Sequence, residues 1–544
     1  MSKEDIEMML IRELKFLEEF RKSYVVQNPQ SMIDREDPDV RRLIESMALF
    51  SAHTRLVTQR NLESTWRRLF SGYFDFMLNP LPAMSIAQAT VTPRLVETVK
   101  FERGTEIKIT TPSGQAASFC TTADLRVIPI AVEKLAILPI KGGSRMSLHL
   151  RSRLPRNESI GVLRLFVHCF ERYEAALRIQ YQLRAHLRRS FVVYDGEVDE
   201  QSSGPECQVT YGAYYDDPYE ADSANGLERA RSFFHFPEQD LYVNVQVPRH
   251  PQAWNRLALC FDLDDDWEPD PTLANDSFQL FTVPIANLRK GPSQPIICDG
   301  TTDAYPIYYV DPSQSVSLQS TRGVYRLTEN GMEPLRPAVL AGDEGEQTYE
   351  IEERQDDLRK GHFLIVRMPR ALLKPVKLVV EAMWHQPAFA REAIGRLTVR
   401  IPSRSLDGIH LSLLSDVRNS HDSFLRNDSS ALLQLLSLRM KPTLTLRDIT
   451  QVLSMFGTVR DGHFRRMPER IRDSRVELAP DTTPGSMGIR HVYTMAIERY
   501  EPEDEAMIWT FLMRVREILD GWNSEATVQL VANTGGSPLT VPVQ

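Results

Sequence analysis

The sequence predicts an α+β, multi-domain protein: N-terminal helices, two β-rich domains, and a C-terminal mixed α/β unit. Three observations carry that expectation. The first eighty or so residues space their apolar side chains by three and four, the period of one helix face. From about residue 84 to 420, short alternating runs take over, cut by Gly and Pro at the intervals of a meander or sandwich. Near residue 425 the helical period returns and then gives way to alternating strands and helices. At 544 residues the chain exceeds what one core holds, and about three or four domains are expected. The expected spans are 1–82 for the helical region, 83–194 for a first β-rich domain with a helix, 195–230 for a polar loop, 231–420 for a second β-rich domain and 421–544 for the α+β unit.

Ile6, Leu10, Leu14, Leu17 and Phe20 mark a first helix that Asn28-Pro29 closes. A second, longer helix starts at Asp37-Pro38-Asp39. Asp37 can accept hydrogen bonds from first-turn amides, Pro38 has no amide hydrogen to lose, and Asp39 complements the positive end of the dipole. Leu43, Met47, Phe50 and Val57 share one face, with Arg41, Arg42, Glu45 and Arg55 mostly off it. Trp66, Leu69 and Phe70 extend the apolar surface toward Tyr73, Phe74 and Phe76, and Asn79-Pro80-Leu81-Pro82 ends the helix. The stripe reads as the buried side of a scaffold helix, so Met47→Asp is expected to destabilise by burying an unpaired carboxylate.

Met84-Ser85-Ile86-Ala87, Glu106-Ile107-Lys108-Ile109 and Leu125-Arg126-Val127-Ile128 alternate like strands, with turn signals at Gly104, Pro112-Ser113-Gly114, Pro129, Pro139 and Gly142-Gly143. Val162 to His168 reads as the last strand of this region. A helix follows through Tyr173, Leu177 and Leu187, bearing Arg172, Arg178, Arg184, Arg188 and Arg189. That row suits a solvated face, an acidic partner or a nucleic acid. Residues 231–237, 241–245, 256–261 and 278–285 restart strands, and Asp299-Gly300 and Asn330-Gly331 suit tight hairpins. Leu432 to Leu438 and Ile449 to Phe456 read as helices, the second opened by Thr445 and Asp448 in a capping-box spacing. His491 to Ile497 reads as a strand, Ala506 to Asp520 as a helix stopped by Gly521, and Val528 to Val531 as a last strand.

Charge and cysteine usage narrow the function. Lys plus Arg is 64 against 73 for Asp plus Glu, a net charge of −9 that argues against nucleic acid as the main partner. Cys120, Cys169, Cys207, Cys260 and Cys298 are scattered and odd in number, which fits a reduced compartment better than a disulfide framework or a metal knuckle. No apolar run reaches about twenty residues, and the charged N-terminus does not read as a secretory signal.

Searching for catalytic patterns yields weak matches only. Glycine-rich phosphate loops, H-E-x-x-H and G-x-S-x-G are all missing. Asp262, Asp264, Asp265 and Asp266 lack the glycine and terminal glutamate of a calcium loop, and Trp267 to Asp270 reads as an exposed turn. Ser415, Asp416, Ser420, His421 and Asp422 hold triad residue types without any signature of triad geometry. The expectation is therefore no catalytic, cofactor-binding or metal residue. One rival reading remains open, a carbohydrate- or peptide-processing enzyme with Tyr211, Tyr214, Tyr215, Asp216 and Asp217 as its site.

A series of segments spread over most of the chain carries a resemblance. In order they are RELKFLEEFRKSY, EDPDVRRLIESMALFSAHTR, LNPLPAMSIAQ, FERGTEI, SFCTTADLRVIPIAV, RSFFHFPEQDLYVNV, DSFQLFTVPIANL, YPIYYVD, ALLQLLSLRM and LRDITQVLSMFG. Together they resemble the TssF (ImpG/VasA) family of type VI secretion baseplate subunits, itself similar to wedge proteins of contractile-tailed phage. The resemblance implies a non-enzymatic wedge component. Two copies would join one TssG, and with TssK and TssE such wedges would surround the VgrG spike as the platform for sheath and tube. It implies a cytoplasmic protein docked at the inner-membrane complex, with no cofactor, no nucleic acid and no direct membrane insertion.

Overall fold

Two helices open the chain, α1 (Lys3–Gln27) and α2 (Pro38–Leu78). The computed structural model describes residues 3–28, 38–169, 172–213, 226–311, 315–340, 346–356, 359–368, 374–403, 407–457, 459, 462–481, 488–522, 526–534 and 539–541. The Asn28 amide and its Nδ2 both donate to the Tyr24 carbonyl and finish α1. Pro29 and the expected cap Asp37 lie outside the described residues. Near its end α2 breaks at Phe74, whose φ of −142° and ψ of 45° leave the helical region.

A six-stranded sheet forms the centre of the fold. Its strands run in the order Thr398–Arg400, Glu106–Thr110, Ala116–Thr121, Thr282–Ala286, Met84–Val91 and Ile409–Leu413. Ile107, Ile109, Ala117 and Phe119 alternate inward, as a period of two dictates. The sheet draws strands from both expected β regions: Met84–Val91 pairs with Thr282–Ala286 on one side and with Ile409–Leu413 on the other. Residues from 83–194 and from 231–420 thus share one sheet. One large core runs from Phe70 to Val541, while Tyr305, Leu364, Leu378, Val380 and Trp384 form a second core within residues 289–385.

Two four-stranded sheets are built within residues 130–279. One orders Ile130–Ile140, Gly143–Arg156, Trp254–Leu263 and Leu187–Tyr194; the other orders Gln208–Tyr211, Tyr242–Val247, Gly161–Val167 and Phe278–Gln279. Along the chain, Gly161–Val167 and Leu187–Tyr194 are joined by α3 (Tyr173–His186), which ends before the expected Leu187 because that residue opens a strand. Arg188 and Arg189 are therefore strand residues, not part of a helical row.

Three further expectations are corrected. Residues 231–237 were expected as a strand, yet Gly226–His235 is a helix, α4. Its Leu227, Ala230, Phe233 and Phe234 share a buried face at helical spacing, and that packing overrides the strand preference of the aromatic run. Within the expected polar loop 195–230, Gln208–Tyr211 pairs with Tyr242–Val247. Trp267 and Asp270, expected on an exposed turn, are buried.

Beyond a short helix α5 (Phe389–Glu392), the C-terminal third holds α6 (Ser429–Arg439), α7 (Leu446–Met455) and α8 (Glu505–Trp522). The capping box at α7 forms as its spacing requires: Thr445 Oγ1 accepts from the Asp448 amide at 3.3 Å, and Asp448 Oδ2 accepts from the Thr445 amide at 3.0 Å. The strand Ile489–Ile497 pairs antiparallel with Ile471–Pro480 and parallel with Ala526–Asn533, and α8 supplies the crossover that a parallel pair needs. Gly521, expected as a stop, sits inside α8. A Cβ on Gly226 would lie 3.5 Å from the Gly521 Cα and 2.5 Å from the Glu517 carbonyl oxygen, so the first turn of α4 abuts α8.

Candidate partner-binding surface

The least covered apolar surface of the described residues lies on α1 and α2. Ala48 and Ala52 are fully buried and Leu56 nearly so, four residues apart on the face that α2 turns to α1. From α1, Glu13 enters the same seam at 4% exposure. Its carboxylate accepts from Ser51 Oγ at 2.9 Å and from Arg55 Nη1 at 2.6 Å. Two alanines let the helices approach closely, and one carboxylate fixes their register. Ile6, Leu10, Leu14 and Leu17 are half-buried in the pair.

The α2 stripe expected in the core points elsewhere. Leu43, Met47, Phe50 and Val57 are exposed, Phe50 by 76% and Met47 by 54%. The reason is the choice of face: the small Ala48-Ala52-Leu56 row meets α1 and turns the larger row outward, so Met47→Asp would bury no charge in the chain alone. Met8, Ile11, Phe16, Phe20 and Val26 on α1, and Leu62 and Leu69 on α2, add to the uncovered surface. Isolated exposed apolar residues are ordinary, but a set this large along one helical pair marks a surface built for association.

Among the described residues, that pair is fixed to the body through the last turns of α2. Phe70, Phe74 and Met77 enter the main core, where Phe74 packs 5.4 Å from Phe70 and 5.8 Å from Trp522 of α8. Each such buried side chain contributes about 1.5–3 kcal/mol. The last carbonyls of α2, which have no partner inside the helix, are taken by groups from elsewhere. Arg231 donates to Phe76 O at 2.6 Å and to Asn79 O at 2.7 Å, and Ser423 Oγ donates to Met77 O at 2.5 Å. His235 Nε2 donates to Pro82 O at 2.7 Å. Burial holds the His235 pKa down at about 3, only partly opposed by that bond, so the ring is neutral. Arg231 and His235 gain these roles through the helical form of α4, which the sequence reading missed.

The candidate residues of a chemical site are not brought together. Asp262 accepts from Arg145, and Asp264 pairs with His186 at 2.8 Å. Ser415 Oγ lies 3.2 Å from Ser85 Oγ and accepts from the Ile86 amide, Ser420 donates to Pro387 O, and the His421 backbone bridges to Leu81. Asp416 and Asp422 face solvent. Tyr214, Tyr215, Asp216 and Asp217 lie outside the described residues. Tyr211 lines a cavity of about 30 Å³ with Tyr173, Asp240 and Arg514, room for a water and far too little for a sugar ring. Of the arginines read as a row, Arg178 pairs with Asp270 at 2.5 Å, Arg184 reaches Met513 Sδ, Arg188 donates to Gly142 O and Arg189 pairs with Glu206. These contacts tie elements of this chain to one another.

Comparison with known proteins identifies the family. The family model described as "Type VI secretion system, TssF" matches residues 7–361. The chain belongs to the TssF family. Among solved structures, it is similar to a chain of the type VI secretion TssK-TssF-TssG baseplate subcomplex, with a TM-score of 0.76 at 16% identity, covering 93% of this chain and 98% of that one. A chain of the type VI secretion baseplate complex aligns with a TM-score of 0.59 at 14% identity, over 98% of both chains. At these identities the likeness is one of fold. No curated protein matches. No helix among the described residues is long and apolar enough to cross a membrane.

Proposed function

We propose that this chain is a structural subunit of the type VI secretion baseplate wedge, without enzymatic activity, and that α1 and α2 are its means of joining the wedge. The observation that carries the reading is the pair of helices fixed at Phe70, Phe74 and Met77 with their large apolar side chains uncovered beyond. The partner that covers them is a TssG subunit, bound by two copies of this chain. TssK and TssE complete the wedge, and wedges close around the VgrG spike as the platform for sheath and tube. The protein works in the cytoplasm, docked at the inner-membrane complex. Membership in the TssF family and the fold shared with a chain of a TssK-TssF-TssG subcomplex support this assignment. The division of labour suits the physics: uncovered apolar helices drive association, and sheets packed on separate cores resist load. Co-expression with a TssG homologue, followed by mass measurement in solution, tests it. Two copies of this chain per TssG are expected; a chain that elutes alone, unaffected by TssG, would overturn the reading.

A further inference from the structure

The C-terminal sheet ends in an open strand of ten residues, Ile471–Pro480. Its inner side pairs with Ile489–Ile497, Val476 opposite Tyr493 and Glu477 opposite Val492. Just beyond, the Asp481 amide donates to the Gly488 carbonyl in the continuing register. Bonding alternates along an antiparallel ladder, so Asp473, Arg475, Glu477 and Ala479 bond inward, while Ser474, Val476 and Leu478 turn their N–H and C=O groups outward. No strand among the described residues takes that outer row. The side chains do not close the edge either. Leu478 is 67% exposed, and Val476 is exposed beside it. Natural sheets blunt such an edge by keeping it short, bulged or rich in lysine and proline; here an irregularity between Ile471 and Asp473 and the terminal Pro480 do so at its two ends, and the stretch from Ser474 to Leu478 between them has neither.

We infer that this edge is an interaction surface for a second copy of the chain, paired antiparallel about a dyad at Val476. Charge selects both the occupant and the register. With the dyad there, Val476 faces its own equivalent, Ser474 faces the second copy's Leu478, and Arg475 faces the second copy's Glu477 twice over. The outward N–H and C=O groups of Ser474, Val476 and Leu478 then meet one another across the interface. Moving the dyad to Arg475 sets arginine against arginine and Asp473 against glutamate; moving it to Glu477 sets glutamate against glutamate. Like charges directly opposite each other destabilise a strand pair, so both shifts are disfavoured. A dyad at Ser474 leaves Leu478 uncovered. Among the described residues, Arg475 pairs with Asp473, at 3.3 Å between two exposed side chains, a weak pair that gives way readily. The inference rests on this edge and not on the wedge reading, since it concerns contact between two copies without any other subunit.

The test uses the full chain carrying Phe50→Asp, to silence association through α2, and follows mass against concentration by sedimentation. A monomer–dimer equilibrium is expected. Arg475→Glu alone, or Glu477→Arg alone, should weaken it about tenfold, and the double reversal should restore it. Val476→Cys should give a covalent dimer on treatment with a short bis-maleimide, lost in the Arg475→Glu background. A strictly monomeric chain, or a double reversal no better than either single change, would overturn the inference. Either result leaves TssG binding to be judged on its own, and loss of TssG binding would leave this equilibrium intact.

Discussion

Phe50 and Ala52 stand two residues apart on α2 and should respond oppositely to one substitution. Phe50 is 76% exposed in the isolated chain, whereas Ala52 has no exposure. Phe50→Asp therefore removes little packing, and the free chain should lose no more than about 0.5 kcal/mol, as surface changes usually do. When a partner covers the ring, burial of the remaining three quarters is worth about 1–2 kcal/mol of the 1.5–3 kcal/mol for a whole side chain. That alone lowers affinity about 5–30-fold, and desolvating the new carboxylate lowers it further. Ala52→Asp puts a carboxylate in the α1 seam, near Glu13, and costs about 3 kcal/mol or more. The assay is a pair of measurements on each variant: hydrogen-exchange protection of α1 in the free chain, and affinity for a TssG homologue. Phe50→Asp should keep α1 protected and lose affinity; Ala52→Asp should lose α1 protection. If Phe50→Asp exposed α1 and left partner affinity unchanged, the assignment of the two faces would be refuted.

Other perturbations probe the anchor and the core. Phe74→Ala removes a buried ring stacked near Trp522 and should cost about 3–5 kcal/mol, read as a fall in the denaturant midpoint. Arg514→Met leaves Asp240 and Glu517 without their buried cation and should cost about 3–5 kcal/mol, whereas a drop under 1 kcal/mol would show that the cluster is already hydrated. His235 is held down to about 3 in the fold against an ordinary value of 6.5, so the unfolded chain binds the extra proton. Its contribution is complete above pH 6.5 and falls by about 1.4 kcal/mol per pH unit below it, down to about pH 3. Denaturant midpoints from pH 7.5 to 5 should therefore drop more steeply in the parent than in His235→Gln; equal slopes would contradict a buried neutral ring.

Local signals in the sequence were legible where one side chain answers one backbone group. The Thr445–Asp448 box forms, Met84 to Ala87 lies in a strand, and the Asn330-Gly331 dipeptide sits in a tight hairpin with Thr328 opposite Gly331. Asp299-Gly300 behaves differently: it joins strands of two sheets, and Asp299 accepts from Thr301 and Tyr305. The sidedness of α2 was not legible, because periodicity reports which face is apolar and not what covers it. Alanines at 48 and 52 carry little hydropathy, yet their size decides the contact with α1. The run Arg231 to Phe236 favours a strand by composition and becomes helix through contacts with α8 and the end of α2, far away in sequence. The sheet shared by the two β-rich stretches was not legible for a related reason. The pairing of Met84–Val91 with Ile409–Leu413 spans more than three hundred residues, and no local pattern encodes it. For the partner surface, the strongest signal was the excess of large apolar residues on α1 and α2 beyond what one seam between two helices can hide.

Hydrogen exchange across the whole chain, free and bound to a TssG homologue, tests the role of α1 and α2 most directly. Amides of residues 3–28 and 38–69 should gain protection on binding, while those of the separate core within 289–385 should not change. Protection gained in the second core, with α1 and α2 exchanging as in the free chain, would contradict the assignment of the partner surface.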